Sequence, residues 1–280
     1  MRFNDFLTLV VLSSFLLGCK PASPSTETDS PTMEIPLTTT SSSTWWRPTV
    51  GLIWQWQIGD NDIDTTIEAD VYDIDLYVDK AIIDKLHDQG RKVICYMSVG
   101  SWEDWRPDKD KFPPEVLGKD YEGWRGEKWL DVRQIDKLAP ILLARLDLCK
   151  SKGFDAVEPD NMEIYTNDTG FPLTYEDQLK FALWLADESH KRGLAIGIKN
   201  ASDQVKDLLE HFDFAIIEDA FYYNWADKMS PFIEAGKPVF AAEYTDLPGD
   251  FSAFCEQSKG LKFSTILKKR GLDAWLQTCE

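Results

Sequence analysis

Glu158 and Asp160 stand two residues apart in the stretch Gly153-Phe154-Asp155-Ala156-Val157-Glu158-Pro159-Asp160-Asn161. While the chain stays extended, residues at that spacing project to the same side, so the two carboxyl groups converge. One held protonated and one held ionised would suit general acid–base or nucleophilic work. Phe154 to Val157 form the apolar core of a strand, and parallel α/β proteins carry their chemistry at strand ends of this kind. Pro159 cannot donate to a ladder, so the strand is expected to stop about there. The plainer alternative is that these acids cap the next helix or solvate a loop.

Other patterns carry less. Asp60-Asn61-Asp62-Ile63-Asp64 begins like an EF-hand loop but has no glycine at the sixth position and no closing glutamate, which leaves an acidic turn. His87, His190 and His211 fall on predicted helices without HExxH spacing, so metal catalysis has no support. There is no GxSxG elbow. Asn167-Asp168-Thr169 and Asn200-Ala201-Ser202 are formal glycosylation sequons, expected to be empty in a bacterial protein.

The elements that must position the acids recur along the chain. Eight short runs rich in β-branched or aromatic residues lie at 52–57, 71–77, 92–98, 155–158, 195–199, 214–218, 238–243 and 263–267. Helical patterns separate most of them, at 81–89, 138–150, 176–191 and 204–212. Gly90, Gly153, Gly193 and Gly236 follow four helices where a C′ glycine belongs. This alternation reads as an α/β fold, a parallel (β/α)8 barrel. The competing open doubly wound sheet lacks a GxGxxG after its first strand. On the barrel reading the strand C-termini present Gln57, Asp75, Ser98, Glu158 with Asp160, Lys199 with Asn200, Glu218, and Glu243 with Tyr244. The result is a carboxylate-rich bowl. Residues 100–133 form an insertion holding Trp102, Trp105, Trp124 and Trp129 among charges, expected as a functional lid or a binding wall. Two of the four tryptophans are expected in a local core and two exposed, where they could stack on sugar rings.

Composition bounds the setting. The formal charge of −18 argues against nucleic acid and fits a cationic or neutral partner. Residues 1–18 resemble an export signal: Arg2, an apolar run too short to span a bilayer, then Leu16-Leu17-Gly18-Cys19, similar to a bacterial lipobox. Cys19 is therefore expected to carry a lipid anchor on the cell surface or outer membrane, with secretion as the alternative. Residues 19–44, rich in Ser, Thr and Pro, read as a disordered tether. Residues 45–280 suit a single barrel, expected to be monomeric. The other four cysteines form no CxxC pair. In an exported protein Cys255 and Cys279 are expected to bridge and tie down the last unit, while Cys95 and Cys149 are as readily bonded as free.

Several segments resemble glycoside hydrolase family 114, the endo-α-1,4-polygalactosaminidase family. They are Trp54-Gln55-Trp56-Gln57, Ile94-Cys95-Tyr96, Gly100-Ser101-Trp102-Glu103-Asp104-Trp105-Arg106-Pro107-Asp108, Trp129-Leu130-Asp131-Val132-Arg133, Glu158-Pro159-Asp160-Asn161, Gly197-Ile198-Lys199-Asn200, Glu218, and Gly236-Lys237-Pro238-Val239. The resemblance implies a (β/α)8 barrel that hydrolyses α-1,4-linked galactosamine polymers without a cofactor, with Asp160 and Glu218 as its catalytic acids. It departs from the family's usual pattern at Ile217-Glu218-Asp219-Ala220, at Asn224-Trp225 and at Glu163, where members often carry Asn-Glu-Gln-Cys, Glu-Cys and Asp. Glu218 is read as the acid. Trp56, Asp75, Glu158, Asn161, Lys199, Asn200, Glu243, Tyr244, Trp105 and Trp124 are expected to bind the polysaccharide or tune the pair. Two alternatives are Glu158 or Asp160 paired with Glu243 in a retaining barrel glycosidase, and a surface lipoprotein that binds glycans without cleaving them.

Overall fold

The structure, a computed structural model, describes residues 44–59 and 62–279. The apolar N-terminal run, Cys19 and nearly all of the Ser/Thr/Pro segment lie outside them, as do Asp60 and Asn61 of the acidic turn. The elements run β1 (Trp54–Gln57), β2 (Val71–Asp75), α1 (Lys80–Asp88), β3 (Lys92–Ser98), β4 (Ser101–Glu103), β5 (Leu117–Asp120) and β6 (Glu127–Leu130). They continue with α2 (Ile135–Lys152), β7 (Ala156–Asp160), α3 (Tyr175–Lys191), β8 (Ala195–Lys199), α4 (Val205–Leu208) and β9 (Phe214–Glu218). The last are α5 (Ser230–Glu234), β10 (Val239–Tyr244), α6 (Phe251–Leu261), β11 (Ser264–Lys268) and β12 (Leu276–Thr278).

The expected α/β barrel is present as a nearly closed sheet. β1, β2, β3, β7, β8, β9, β10 and β11 pair in parallel in that order, and β12 adds antiparallel to β11. Among the described residues no ladder joins β11 to β1. Side chains span the seam instead: Trp54 Nε1 donates to the Ser264 carbonyl at 2.9 Å, and Lys268 Nζ to Gln55 Oε1 at 3.1 Å.

Both faces of the sheet are buried, so period-two alternation sorts each strand between two cores. Trp54, Trp56, Val71, Ile94, Ala156, Ala195, Phe214, Ile216, Ala242 and Tyr244 fill the barrel interior. Their neighbours Ile74, Cys95, Val157, Ile196, Ile198, Ala215, Ile217 and Ala241 pack outward against the helices. Extending the inward parity to the strand ends aims Asp75, Tyr96, Asp160, Lys199 and Glu218 into one mouth. Trp45 and Trp46 pack against the inner core, and Trp45 Nε1 donates to Asp213 Oδ1 at 2.9 Å.

β7 stops about where Pro159 predicts, running one residue past it to Asp160. The Val99 N–H bonds the Asp160 carbonyl, so even-numbered residues of β7 face β3; Ala195 N–H bonds the Asp155 carbonyl on the β8 side. The missing N–H of Pro159 therefore faces β8, where pairing has already ended at Val157 opposite Ile196. The insertion at 100–133 has secondary structure of its own. It folds as an antiparallel sheet in the order β4-β6-β5. Trp129 is buried and Trp102 packs on the core, while Trp105 and Trp124 are 51% and 50% exposed, the expected division. The helix predicted over 204–212 shrinks to α4, which leaves His211 in the turn behind it. Both disulfides form: Cys95–Cys149 ties β3 to α2, and Cys255–Cys279 ties α6 to the chain after β12.

Candidate active site

Three strands end on a functional side chain followed by a residue in the left-handed region: Asn161 (φ 63°) after Asp160, Asn200 (φ 51°) after Lys199 and Asp219 (φ 51°) after Glu218. Asn and Asp tolerate that region best among non-glycine residues, and the sharp turn stops each strand with its last side chain at the mouth. Gly100 is needed beside one of these turns, because a Cβ there would lie 1.7 Å from the Asn161 carbonyl oxygen. Asn161 Nδ2 donates to the Ser98 and Ser101 hydroxyls, both at 3.0 Å. Asn200 Oδ1 accepts the Glu218 N–H at 2.9 Å.

Lys199 is the centre. Its buried ammonium lies 2.8 Å from Glu158 Oε1, 2.8 Å from Asp160 Oδ1 and 3.2 Å from Glu218 Oε2. The ring of Trp56 lies 4.7 Å from the same nitrogen. Burial would discharge the lysine, but the charges of Asp160, Glu158 and Glu218 outweigh it and hold the pKa well above normal. Burial alone would raise Asp160; the Lys199 charge and hydrogen bond reverse this and keep it below the usual carboxylate range. Tyr96 donates to Asp160 Oδ2 at 2.9 Å and Tyr244 to Glu218 Oε1 at 2.5 Å. Asp160 and Glu218 thus each have both oxygens bonded, and Asp160 also accepts the Asn161 N–H.

Beneath this layer lies Asp73, fully buried on the inward face of β2. Among the described residues no N–H or hydroxyl reaches either of its oxygens, or Glu158 Oε2. The three N–H donors of Lys199 are already used. Burial first, then the Glu158 charge, push Asp73 well above the carboxylate range, and Glu158 is its hydrogen-bond partner. Asp73 is therefore the protonated member of the pair and donates to Glu158. An unfolded Asp73 ionises near pH 4, so above that pH folding must take up a proton. Asp73→Asn keeps a donor without that uptake. Its stability relative to wild type should rise with pH by up to about 1.4 kcal/mol per unit until the folded pKa is reached. Urea denaturation from pH 4 to 8 checks this, and a constant difference between the two proteins would show an ionised Asp73.

Above Lys199 opens a cleft of about 840 Å³. Trp56, Asp75, Asp160, Asn161, Lys199, Asn200 and Glu218 form its floor, and Trp105 and Trp124 of the insertion stand in its wall. Arg106 fixes the insertion to the barrel, with Asp75 Oδ2 at 2.6 Å and Glu103 Oε2 at 2.7 Å. Arg145 of α2 grips Asp108 through two 2.8 Å bonds. The insertion is a pinned wall.

Three of the expected site residues lie elsewhere than in the cleft lining. Glu158 points inward but sits one layer too deep, wholly buried under Lys199. Tyr244 reaches the site through its hydroxyl on Glu218 and its ring under Arg270. Glu243 has the outward parity of Ala241, and its carboxylate accepts the N–H groups of Phe221 at 2.9 Å and Tyr222 at 3.2 Å. A carboxylate committed to that turn is not available as the partner of Glu158 or Asp160. Sequence reasoning missed Tyr96, Arg106, Glu103, Glu127, Glu163 and Arg270 as site residues. Inward parity would have found Tyr96; the others depend on how insertion and loops fold back. Among the described residues no cluster of His, Cys, Asp and Glu could hold a metal ion.

The sequence profile of glycoside hydrolase family GH114 matches residues 36–280. The crystal structure of Aspergillus fumigatus Ega3 in complex with galactosamine is 40% identical, with a TM-score of 0.80 over 84% of this chain and 98% of that one. The glycoside hydrolase domain of PelA from Pseudomonas aeruginosa shares the fold at 14% identity, with a TM-score of 0.64 over 81% of this chain and 97% of that one. An uncharacterised protein of Deinococcus radiodurans is 25% identical over 207 residues, 66% of each chain. With the profile covering the whole barrel, the chain belongs to glycoside hydrolase family 114 and is a glycoside hydrolase.

Proposed function

We propose that the protein is an endo-acting hydrolase of α-1,4-linked galactosamine polysaccharide, with Asp160 and Glu218 as its catalytic pair. The observation that carries the substrate reading is a charge imbalance in the cleft. Asp75, Glu103, Glu127, Asp160, Glu163 and Glu218 line it against only Arg106, Lys199 and Arg270. Asp75 and Glu103 share Arg106, and Asp160 and Glu218 share Lys199. No ion pair with a described residue serves Glu127 or Glu163. Burial, above all, raises their pKa values to about 7 and about 8. An ammonium group brought by the substrate would let both acids ionise and pair with it, and the Ega3 structure holds such a sugar. Trp105 and Trp124 offer ring faces to the C–H faces of the sugars.

The chemistry follows from Lys199. Its distances to Asp160 Oδ1 and Glu218 Oε2 bound those oxygens to at most about 6 Å apart. That favours the closer spacing of retaining glycosidases, since inverting enzymes need room for a water at about 6.5–9.5 Å. Asp160, held ionised by Lys199, attacks the anomeric carbon as Glu218, acting in its protonated form, gives its proton to the leaving oxygen. Glu218 then takes a proton from the water that opens the glycosyl-enzyme.

The test is digestion of deacetylated polygalactosamine, chitosan, polygalacturonate and α-glucan, with products sized and their first-formed anomer read by NMR. Polygalactosamine should be cut internally with retention, and its KM should rise with salt as ammonium–carboxylate contacts are screened. Preference for another polymer would overturn the substrate, an inverted product the roles, and a KM flat in salt the electrostatic argument.

A further inference from the structure

A second hollow of about 340 Å³ adjoins the cleft, and Glu163, Asn167 and Asn200 line both spaces. The hollow is built by segments that follow β7, β8 and β9, whereas Trp105 and Trp124 stand in the insertion after β3. Its aromatic lining is Trp225, half-buried against the core, and Tyr165. Two buried glutamines lock the hollow's shape. Gln178 Oε1 accepts the Ile164 N–H at 2.6 Å and the Tyr165 N–H at 3.2 Å, and Gln178 Nε2 donates to Gln204 Oε1 at 2.9 Å. At the rim Asp203 and Lys228 pair at 3.0 Å and cancel each other's charge.

We infer that this hollow is a further subsite of the cleft, taking one pyranose unit of the same polysaccharide chain with its C–H face on Trp225. The inference rests on the hydrolase reading above and extends it. A pyranose presents an apolar face and a polar edge, and the hollow offers an aromatic ring beside fixed amides and a neutral ion pair. It shares three lining residues with the catalytic cleft, which makes the unit it holds a near neighbour in the chain being cut. Substrate would then meet tryptophan on the insertion side and again beyond Glu163, with Asp160 and Glu218 between. A preshaped pocket binds the extra unit with little ordering cost, so longer chains gain affinity that short ones cannot.

The full-length protein is assayed on α-1,4-galactosamine oligomers of increasing defined length. In the wild type kcat/KM should climb with length. Trp225→Ala should remove about tenfold of that gain, mostly through KM, as expected for losing one stacked ring. It should leave kcat on the shortest cleavable oligomer within about twofold. Trp225→Phe, which keeps a ring, should retain most of the gain. Ser202→Trp fills the hollow from its half-exposed rim, so it gives the same readout if Trp225→Ala folds poorly. An equal loss at every length, or no loss in either variant, overturns the subsite and leaves Trp225 a packing residue. If the wild type cuts another polymer, the length series is made from that one: the substrate reading then fails and the subsite is still decided. If it cuts none, both fall.

Discussion

Asp160→Asn and Glu218→Gln should each lower kcat on polygalactosamine by on the order of 10³-fold or more, with folding stability within about 1 kcal/mol of wild type. The amides keep the shape and some hydrogen bonds of the carboxyl groups but can neither attack nor exchange a proton. Stability should hold because Lys199 keeps two carboxylates after either change. The double variant should be little worse than either single one, since the two groups serve one reaction. A substrate with a leaving group that needs no proton, such as a glycosyl fluoride, separates the roles. With it Glu218→Gln should still form the glycosyl-enzyme and stall there, whereas Asp160→Asn should form none. If Glu218→Gln stays within about tenfold of wild type on the polymer, the pair is misassigned. The reverse pattern with the fluoride would exchange the two roles.

Lys199→Met should be the most destabilising single change at the site. It leaves Glu158 and Asp160 facing each other in a buried layer without a cation, and breaking a buried pair from one side costs about 3–5 kcal/mol. The loss depends on pH in a defined direction. Without Lys199 the folded pKa values of these carboxyls rise above their unfolded values. The penalty is then fully present only above those raised folded values, shrinks as pH falls through them, and is gone below the ordinary carboxylate range near 4. Urea denaturation at pH 4 and pH 7.5 measures it: the gap to wild type should narrow at the lower pH. A gap equal at both would mean that Lys199 matters for its volume alone. Lys199→Arg should not restore activity, because a planar guanidinium cannot converge its donors on three carboxylates as an ammonium does. Lys199→Met should also abolish turnover, since Asp160 loses the charge that holds it ionised.

Much of the barrel is legible in the chain itself. Strands buried on both faces must be apolar throughout, and helices must end where a left-handed glycine allows, so the eight runs and Gly90, Gly153, Gly193 and Gly236 mark the units. Period-two geometry alone also puts Glu158 and Asp160 on one side of their strand. The same geometry, followed strand by strand, would have set Tyr96 inward and Glu243 outward. What only the tertiary structure decided is depth and partnership. Glu158 and Asp160 share a side, yet one lies sealed beneath Lys199 and the other at the mouth, because strand stagger sets height along the barrel and no local pattern encodes it. Arg106 meeting Asp75, and Trp225 meeting the space beyond Glu163, join residues far apart in sequence. Such contacts exist only once the insertion and loops have folded back over the rim. The types of the catalytic groups are a property of the sequence; their charges follow from how many carboxylates one buried lysine must serve.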